Sequence, residues 1–325
     1  MTKPQFLDGY SEQVTTDCER VLVTLLRGLG PLRQSVFLVG GLTPRYLVKA
    51  KPPEIPPHAG TGDIDMVVDM AILANTDAYA TLEKNLKRMG FERAENDNGA
   101  KVNWRWKAKL ESGSVLVVEF LAYDPNVAGR MVELPTAGNV TAMNIPHADI
   151  VFDLHDKITI TAELLGDDGQ ATETIAHANR VSFSCLKAFA FDDRRERKDA
   201  HDLVYCLEHG EGGVEAAIAE FRATAEGAHR DVIADGLRKL QARFGDDENA
   251  EGFRKDGPVA VAKFEIGDEV EVAEPRLLRQ RQVADIVGKL LVGLKDIWTE
   301  PKPAPSSSAS ASTTTTSGRT RRTAD

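Results

Sequence analysis

The chain has 325 residues, of which 42% are hydrophobic, enough for one large or two modest cores. The formal net charge of −10 argues against a non-specific nucleic-acid binder, because such affinity comes from neutralising many phosphates. It does not exclude an enzyme that holds one end of an RNA through a local basic patch. No run of about 18 apolar residues exists, so the sequence predicts no membrane span.

The N-terminus and the cysteines bear on where the chain works. The first residues lack a basic start followed by an apolar stretch, so no secretory signal is expected. Cys18, Cys185 and Cys206 are too few and too scattered for a disulfide framework, and no two have CxxC spacing. These features predict reduced thiols in a cytoplasmic protein.

The first half of the chain alternates predicted strands and helices. Periodic apolar side chains predict a first helix over residues 12–29, and a run of β-formers predicts a strand over 35–39. A short second helix is predicted over residues 43–49, with Thr43 as its expected N-cap and Pro44 at its first position. A proline-rich loop then precedes the remaining elements, which are strands at 63–69, 101–110 and 114–123 and a helix at 77–89. This order predicts a mixed sheet with helices packed on it, a core unit of residues 1–135.

The second half is predicted to be mostly helical. Short strands are predicted at 131–134, 149–154 and 158–165, and residues 136–178 are predicted to form a connecting region. Helical periodicity begins near residue 175 and defines a helical domain over 179–300. Residues 301–325 are rich in Ser and Thr and cannot bury enough apolar surface to offset their ordering entropy, so they are predicted to be a disordered tail. The predicted fold class is α+β, with an N-terminal mixed-sheet core and a C-terminal helical domain.

Two aspartates stand at the start of the strand predicted over residues 63–69. Side chains alternate across a strand, so Asp63 and Asp65 point to one face while Ile64 enters the core. Two carboxylates about 6–7 Å apart repel each other and cost stability unless a cation lies between them. Mg²⁺ prefers oxygen ligands, and two such ions brace the attacking and leaving oxygens of a phosphoryl displacement. The pair therefore predicts a magnesium site.

A glycine turn, Gly40-Gly41, precedes this strand. It allows backbone N–H groups to approach a triphosphate closely, at the start of a helix whose dipole favours anions. Alone, an Asp-x-Asp is usually a solvated strand edge and a Gly-Gly is usually a turn. The order strand, Gly-Gly, helix, proline-rich loop and Gly-Asp-x-Asp strand is far more specific and favours a functional interpretation.

This arrangement resembles the nucleotidyltransferase superfamily that includes DNA polymerase beta, in which a glycine turn precedes an Asp-x-Asp strand. The resemblance implies two Mg²⁺ ions and an NTP substrate, with Asp63, Asp65 and a third carboxylate as catalytic metal ligands. Glu119 best matches the third carboxylate, although the superfamily more often has Asp there, and Asp124 is the alternative. The residues expected to bind the nucleotide on this side are Gly40, Gly41, Thr43, Arg45 and Thr61.

A narrower resemblance lies in the stretch KAFAFDDRRERKDAHDL. It is similar to the helical half of AbiEii-type toxins, the nucleotidyltransferases of bacterial toxin–antitoxin and phage-defence systems. On a helix its three spaced cations fall within a narrow arc, where they counter triphosphate charge opposite the metal site. The alternative is an ordinary charged helix with modest i,i+4 ion pairs. The residues of this stretch with an expected catalytic or nucleotide-binding role are Lys187, Arg194, Lys198, Asp199 and Asp202.

The resemblance implies an enzyme that moves an NMP from an NTP to the 3′ end of tRNA, as a toxin with a cognate antitoxin. Two alternatives keep the chemistry and change the acceptor to a protein hydroxyl or a small molecule. A third is a degenerate nucleotide-binding module, against which the intact Asp-x-Asp weighs. Residues 101–109 alternate to place basic side chains on one face, which is either an RNA-facing strand or a solvated one. The histidines show no HxH or HExxH spacing, which argues against zinc.

Overall fold

A computed structural model describes residues 4–74, 82–96, 98–135 and 139–299. The tail predicted to be disordered, residues 301–325, lies outside the described residues, as do residues 77–81 of the helix predicted over 77–89. Within the described ranges, no helix has the length and apolar character needed to cross a membrane.

The described strands form one mixed sheet, as the sequence predicts. Their bounds are β1 Val36–Val39, β2 Asp63–Val68, β3 Glu92–Glu95, β4 Lys101–Lys109, β5 Val115–Ala122, β6 Met131–Glu133, β7 Thr141–Asn144, β8 His155–Glu163 and β9 Gln170–Ala178. The strand order is β3-β4-β5-β2-β1-β9-β8, and β7 pairs with β5 and β6. Strand β1 is antiparallel to β2 and parallel to β9, while β2 is parallel to β5. The sheet therefore continues through the strands of residues 136–178.

The described helices pack on both faces of this sheet. Their bounds are α1 Glu12–Leu29, α2 Pro44–Leu47, α3 Met70–Ala74, α4 Leu82–Arg88, α5 Ile150–Asp153, α6 Arg180–Arg194, α7 Arg197–His209, α8 Gly213–Ala225, α9 Arg230–Phe244, α10 Asp256–Ile266, α11 Ala273–Gly293 and α12 Lys295–Thr299. Helices α6 to α12 form the helical C-terminal part that the fold class predicts. All three cysteines are buried free thiols.

Two hydrophobic clusters lie on opposite faces of the sheet. Leu22 of α1 packs against one face, where Ile64 and Met66 of β2 are fully buried. Phe37 and Val67 point to the opposite face and pack into the cluster built by the C-terminal helices. Burying each such side chain contributes about 1.5–3 kcal/mol, so strand alternation fixes which residues face each layer.

Three local predictions were wrong. Residues 149–154, predicted as a strand, contain the helical turn α5, in which the Leu154 N–H donates to the Ile150 carbonyl at 3.0 Å. A short apolar run has no period long enough to separate strand from helix. Helical periodicity was placed from residue 175, yet β9 continues to Ala178 and α6 begins at Arg180, where Asn179 caps the Ser182 N–H. Strands β3 and β7, helix α3 and the first half of β9 were not predicted.

The third wrong prediction concerns the helix after the glycine turn. Helix α2 has four residues rather than the seven predicted over residues 43–49. Thr43 is itself helical, with φ −57° and ψ −40°, and its hydroxyl makes no capping bond. A helix this short adds little dipole, so the field of a helix N-terminus does not support anion binding at this turn.

Candidate functional site

Three carboxylates lie on one face of the central strands. In the parallel β2–β5 pair Asp65 is the direct partner of Glu119, and Asp63 is two residues before it on β2. The period of two places all three side chains on the same face, where each is half-buried. They line a cleft of about 2300 Å³ between the sheet and helices α6, α7 and α9.

The glycine turn lies directly beside this acidic face. The pairing of Val39 with Asp65 brings Gly40 against β2 with φ +71°, and a Cβ on Gly40 would lie 1.8 Å from Asp65 Oδ2. A Cβ on Gly41 would lie 2.7 Å from Thr61 Oγ1 and 3.0 Å from Lys198 Nζ. Both positions therefore require glycine, because the acidic strand and a cation from α7 occupy the space of a side chain.

Thr61 fixes one of the two aspartates. Its hydroxyl donates to Asp63 Oδ1 at 2.5 Å, and its backbone N–H donates to Thr15 Oγ1 at 3.3 Å. Thr61 is 3% exposed, so it orients Asp63 from within the wall of the cleft. Thr61 was predicted to bind the nucleotide, and in the structure its side chain contacts Asp63 of the acidic pair.

Glu119 is held by a neighbouring strand. Arg105 of β4 is its direct partner in the antiparallel pair and donates to Glu119 Oε1 at 2.7 Å. The alternative carboxylate, Asp124, also lines the cleft but follows the end of β5, where its Oδ1 accepts the Asn126 N–H at 2.8 Å. Register thus places Glu119, and not Asp124, beside Asp65.

The acidic set fits a hard cation in its chemistry. Asp63, Asp65 and Glu119 offer only carboxylate oxygens, the ligands that Mg²⁺ prefers. Within the described part of the chain, their oxygens are not all within 4.8 Å of one another. Asp63, Asp65 and Glu119 are the residues that would hold such an ion, and Glu119 is paired with Arg105 in this structure.

The helical part supplies cations to the same cleft. Arg194, at the end of α6, and Lys198, on α7, both line it opposite the acidic strands. Arg194 remains about half exposed while its Nε donates to Asp199 Oδ2 at 2.6 Å. Lys198 is nearly buried, with its Nζ 2.8 Å from Asp202 Oδ2. The structure therefore brings the cations predicted from the narrower motif to the acidic face.

Lys187 lies deeper, at the centre of a buried ion network. Its Nζ is 2.8 Å from Asp199 Oδ1 and 2.8 Å from Asp202 Oδ2, and the residue is 7% exposed. Burial alone would raise the pKa of Asp199, but Lys187 and Arg194 outweigh it and lower that pKa to about 2. Burial likewise opposes ionisation of Asp202, and Lys187 and Lys198 hold its pKa well below the usual range. The network therefore stays charged at neutral pH.

The proline-rich loop closes the network with His58. Its Nε2 lies 2.8 Å from Asp202 Oδ1, and its Nδ1 accepts the Gly60 N–H at 3.0 Å. The ring is therefore neutral, with its proton on Nε2. Burial is the main cause that lowers the pKa of His58 to about 4, against the opposing pull of Asp202. No pattern in the sequence pointed to His58, because its partner lies 144 positions away.

His58 predicts a pH-dependent loss of stability. A histidine with a folded pKa of about 4 binds fewer protons than its unfolded form at 6.5, so stability falls as pH drops from 6.5 towards 4. Between pH 7 and pH 5 the free energy of unfolding of the native protein should fall by about 2 kcal/mol through His58. A His58→Gln variant should not show this fall, since Gln does not titrate and still donates to Asp202. Urea unfolding at the two pH values measures the difference. Equal losses in both proteins would contradict the neutral assignment.

His58, His201 and Asp202 are the group of described residues whose ligand atoms all lie within 4.8 Å of one another. His201 Nδ1 donates to Glu265 Oε1 at 2.9 Å, and its Nε2 is buried with no partner in the described structure. The ammonium groups of Lys187 and Lys198 already neutralise Asp202. Because His58 Nδ1 accepts the Gly60 N–H, the protonated Nε2 of His58 faces Asp202. The Asp202 carboxylate is therefore already paired with cations of the protein, so this group is poorly suited to a metal ion.

Two predicted nucleotide-binding residues lie away from the cleft. Arg45 pairs with Glu12 at 2.6 Å and with Glu19 at 2.9 Å. Thr43 is fully buried, and its hydroxyl has no partner among the described residues. Neither belongs to the cleft lining, whereas Arg105 of the predicted basic strand does. The period-two pattern of residues 101–109 had indicated this basic face but not its contact with Glu119.

The chain was compared with known proteins. No protein-family model matches it, and no curated protein sequence matches it either.

Proposed function

We propose that the protein is a nucleotidyltransferase that moves an NMP from an NTP to an acceptor and releases pyrophosphate. The observation that carries the proposal is the juxtaposition across one cleft of Asp63, Asp65 and Glu119 with cations of α6 and α7. Phosphoryl transfer requires carboxylates to hold divalent ions on one side and positive charge to counter the phosphates on the other. Gly40 and Gly41 line the cleft beside both groups, so their backbone N–H groups are available to the phosphates.

In this reaction an acceptor hydroxyl oxygen bonds to the α-phosphorus. The bond from that phosphorus to the bridging oxygen breaks, and pyrophosphate leaves with the electron pair. Asp63 and Asp65 would hold Mg²⁺, which supplies charge neutralisation and a template for the two oxygens. Arg194 and Lys198 counter the charge of the departing phosphates. Glu119 serves either as third ligand or as the base that takes the hydroxyl proton.

The acceptor we propose is the 3′ end of tRNA, in the cytoplasm, with the protein acting as a toxin restrained by an antitoxin. The rim of the cleft supports an RNA acceptor. It carries basic side chains on the strand side and on the helix side, despite the net charge of −10. Three of them pair with acidic residues of the same lining, namely Arg105 with Glu119, Arg238 with Asp235 and Lys239 with Asp192. Phosphate contacts need only such local positive charge. The basic residues of the cleft lining, apart from the network, are Arg105, Lys107, Arg130, Arg238 and Lys239.

Transfer of label from NTPs tests the proposal. The wild-type protein, Mg²⁺ and total cellular RNA are incubated with each NTP labelled at the α-phosphate, and the RNA is resolved on a gel. Label is expected in the tRNA band, and EDTA is expected to prevent it. The matched control is the same NTP labelled at the γ-phosphate, whose label should leave with pyrophosphate. No label in RNA or protein from any α-labelled NTP would contradict the proposal.

A further inference from the structure

The acidic face of the cleft continues along β5 into an aromatic one. Leu121 and Tyr123 follow Glu119 at intervals of two, and all three line the cleft. At about 3.3 Å per residue, the Cα atoms of Glu119 and Tyr123 are about 13 Å apart. An extended nucleoside triphosphate covers a span of this order from its phosphates to its base.

Three half-buried rings form the far end of the cleft. The His147 ring centroid is 5.7 Å from that of Tyr123 and 5.2 Å from that of Phe189, with interplanar angles of 44° and 38°. Tyr123 follows β5, His147 precedes α5, and Phe189 lies on α6, so three separate elements bring these rings together. All three line the same cleft as the carboxylates. We call this set the aromatic surface.

The backbone holds His147 in a rarely used conformation. Its φ of +63° is left-handed, a region that non-glycine residues seldom adopt. The surrounding segment is fixed by hydrogen bonds from the Ile145 N–H to the Ala122 carbonyl at 2.8 Å and from the Ile150 N–H to the His147 carbonyl at 3.1 Å. The ring nitrogens of His147 make no hydrogen bond to any described residue. Such a conformation, imposed on a ring at a cleft wall, points to a role in binding.

We propose that Tyr123, His147 and Phe189 form the subsite for the nucleobase of the donor nucleotide. This inference rests on the proposed function, because it assigns the part of the cleft that the phosphates do not use. Asp63, Asp65 and Glu119 lie on β2 and β5, whereas the aromatic surface lies past the end of β5, so its rings are placed to contact a planar group rather than the phosphates. Aromatic rings bind nucleobases by stacking, since every base presents a π-face. The free ring edge of His147 adds a hydrogen-bonding group for the base.

Binding measurements with two ligands test the subsite. Calorimetric titration compares ATP with inorganic tripolyphosphate, which carries the phosphates and no base, both in the presence of Mg²⁺. Two variants remove stacking while keeping packing or backbone: Phe189→Leu retains apolar volume, and His147→Gly retains the left-handed φ. Each is expected to lower ATP affinity by about 5- to 160-fold, the range for one lost stacking partner, and to leave tripolyphosphate affinity unchanged. Circular dichroism confirms folding of each variant.

A half-buried phenylalanine outside the cleft supplies the matched control. Phe253 stacks against Arg254 and Arg281, so Phe253→Leu should leave both affinities unchanged. Variants of the aromatic surface that bind ATP as tightly as wild type would overturn the subsite alone. An equal loss of ATP and tripolyphosphate would also overturn it, because the rings would then only support the phosphate site. If wild-type protein binds neither tripolyphosphate nor any of ATP, GTP, CTP and UTP, the proposed function fails together with the subsite.

Discussion

Replacement of Asp65 by Asn is expected to lower nucleotide transfer by at least roughly 10³-fold while leaving the fold intact. Asp65 lies between Asp63 on its own strand and Glu119 on the next. A cation held by Asp65 together with either neighbour would therefore lose a ligand in the variant. Asparagine keeps the volume that fits against Gly40 and removes only the charge. Because the change relieves repulsion among three carboxylates, the free energy of unfolding should stay equal or rise.

The measurement pairs initial rates of label transfer with urea unfolding of the same preparations. Asp156 is the matched control, since it is an exposed strand aspartate on β8 outside the cleft lining. Asp156→Asn should retain wild-type rates. An Asp65→Asn enzyme with wild-type turnover would remove the acidic face from the chemistry, and a large loss of stability would assign Asp65 a structural role instead.

Local periodicity carried the parts of the fold that could be predicted from sequence. The alternation of Ile64 and Met66 with Asp63 and Asp65 placed the apolar and acidic faces of β2, and both are observed. Alternation also exists in β9, whose burial switches at nearly every residue, but the last strand predicted from the sequence ended at residue 165. A long period was therefore needed to predict an element, as in β2, but it was not sufficient in β9.

Contacts between distant residues could not be predicted in the same way. The stretch from Lys187 suggested a cationic stripe, yet its charges are largely paired with Asp199 and Asp202 on the next helix. Helix α6 ends at Arg194 and α7 begins at Arg197. The cations predicted to share one helical arc therefore lie on two separate helices. The pairing of Arg105 with Glu119 likewise depends on strand register, which motif spacing does not contain.

Replacement of Lys187 by Met is expected to destabilise the protein by about 3–5 kcal/mol, because it leaves two buried carboxylates without their shared cation. Asp199 is 3% exposed and Asp202 is fully buried, so water cannot replace the lost ammonium. Sequence alone gave Lys187 a catalytic or nucleotide-binding role, and its burial between two carboxylates adds a structural one. Lys187→Arg should not restore full stability, since a planar guanidinium does not fit between two carboxylates arranged around a compact ammonium.

The pH dependence of unfolding identifies the cause of this loss. A carboxylate with a depressed folded pKa contributes stability that is present above its unfolded pKa of 3.8 and is lost as pH falls through about 2, the folded value for Asp199. Without Lys187 this pKa rises, so the variant should lose less stability than wild type between pH 4 and pH 2.5. Urea unfolding at pH 7, 4 and 2.5 measures both effects. Lys289→Met is the control, because it breaks an exposed pair with Asp285 and should cost under about 1 kcal/mol. A Lys187→Met protein as stable as this control at pH 7 would show that the buried network does not depend on its central cation.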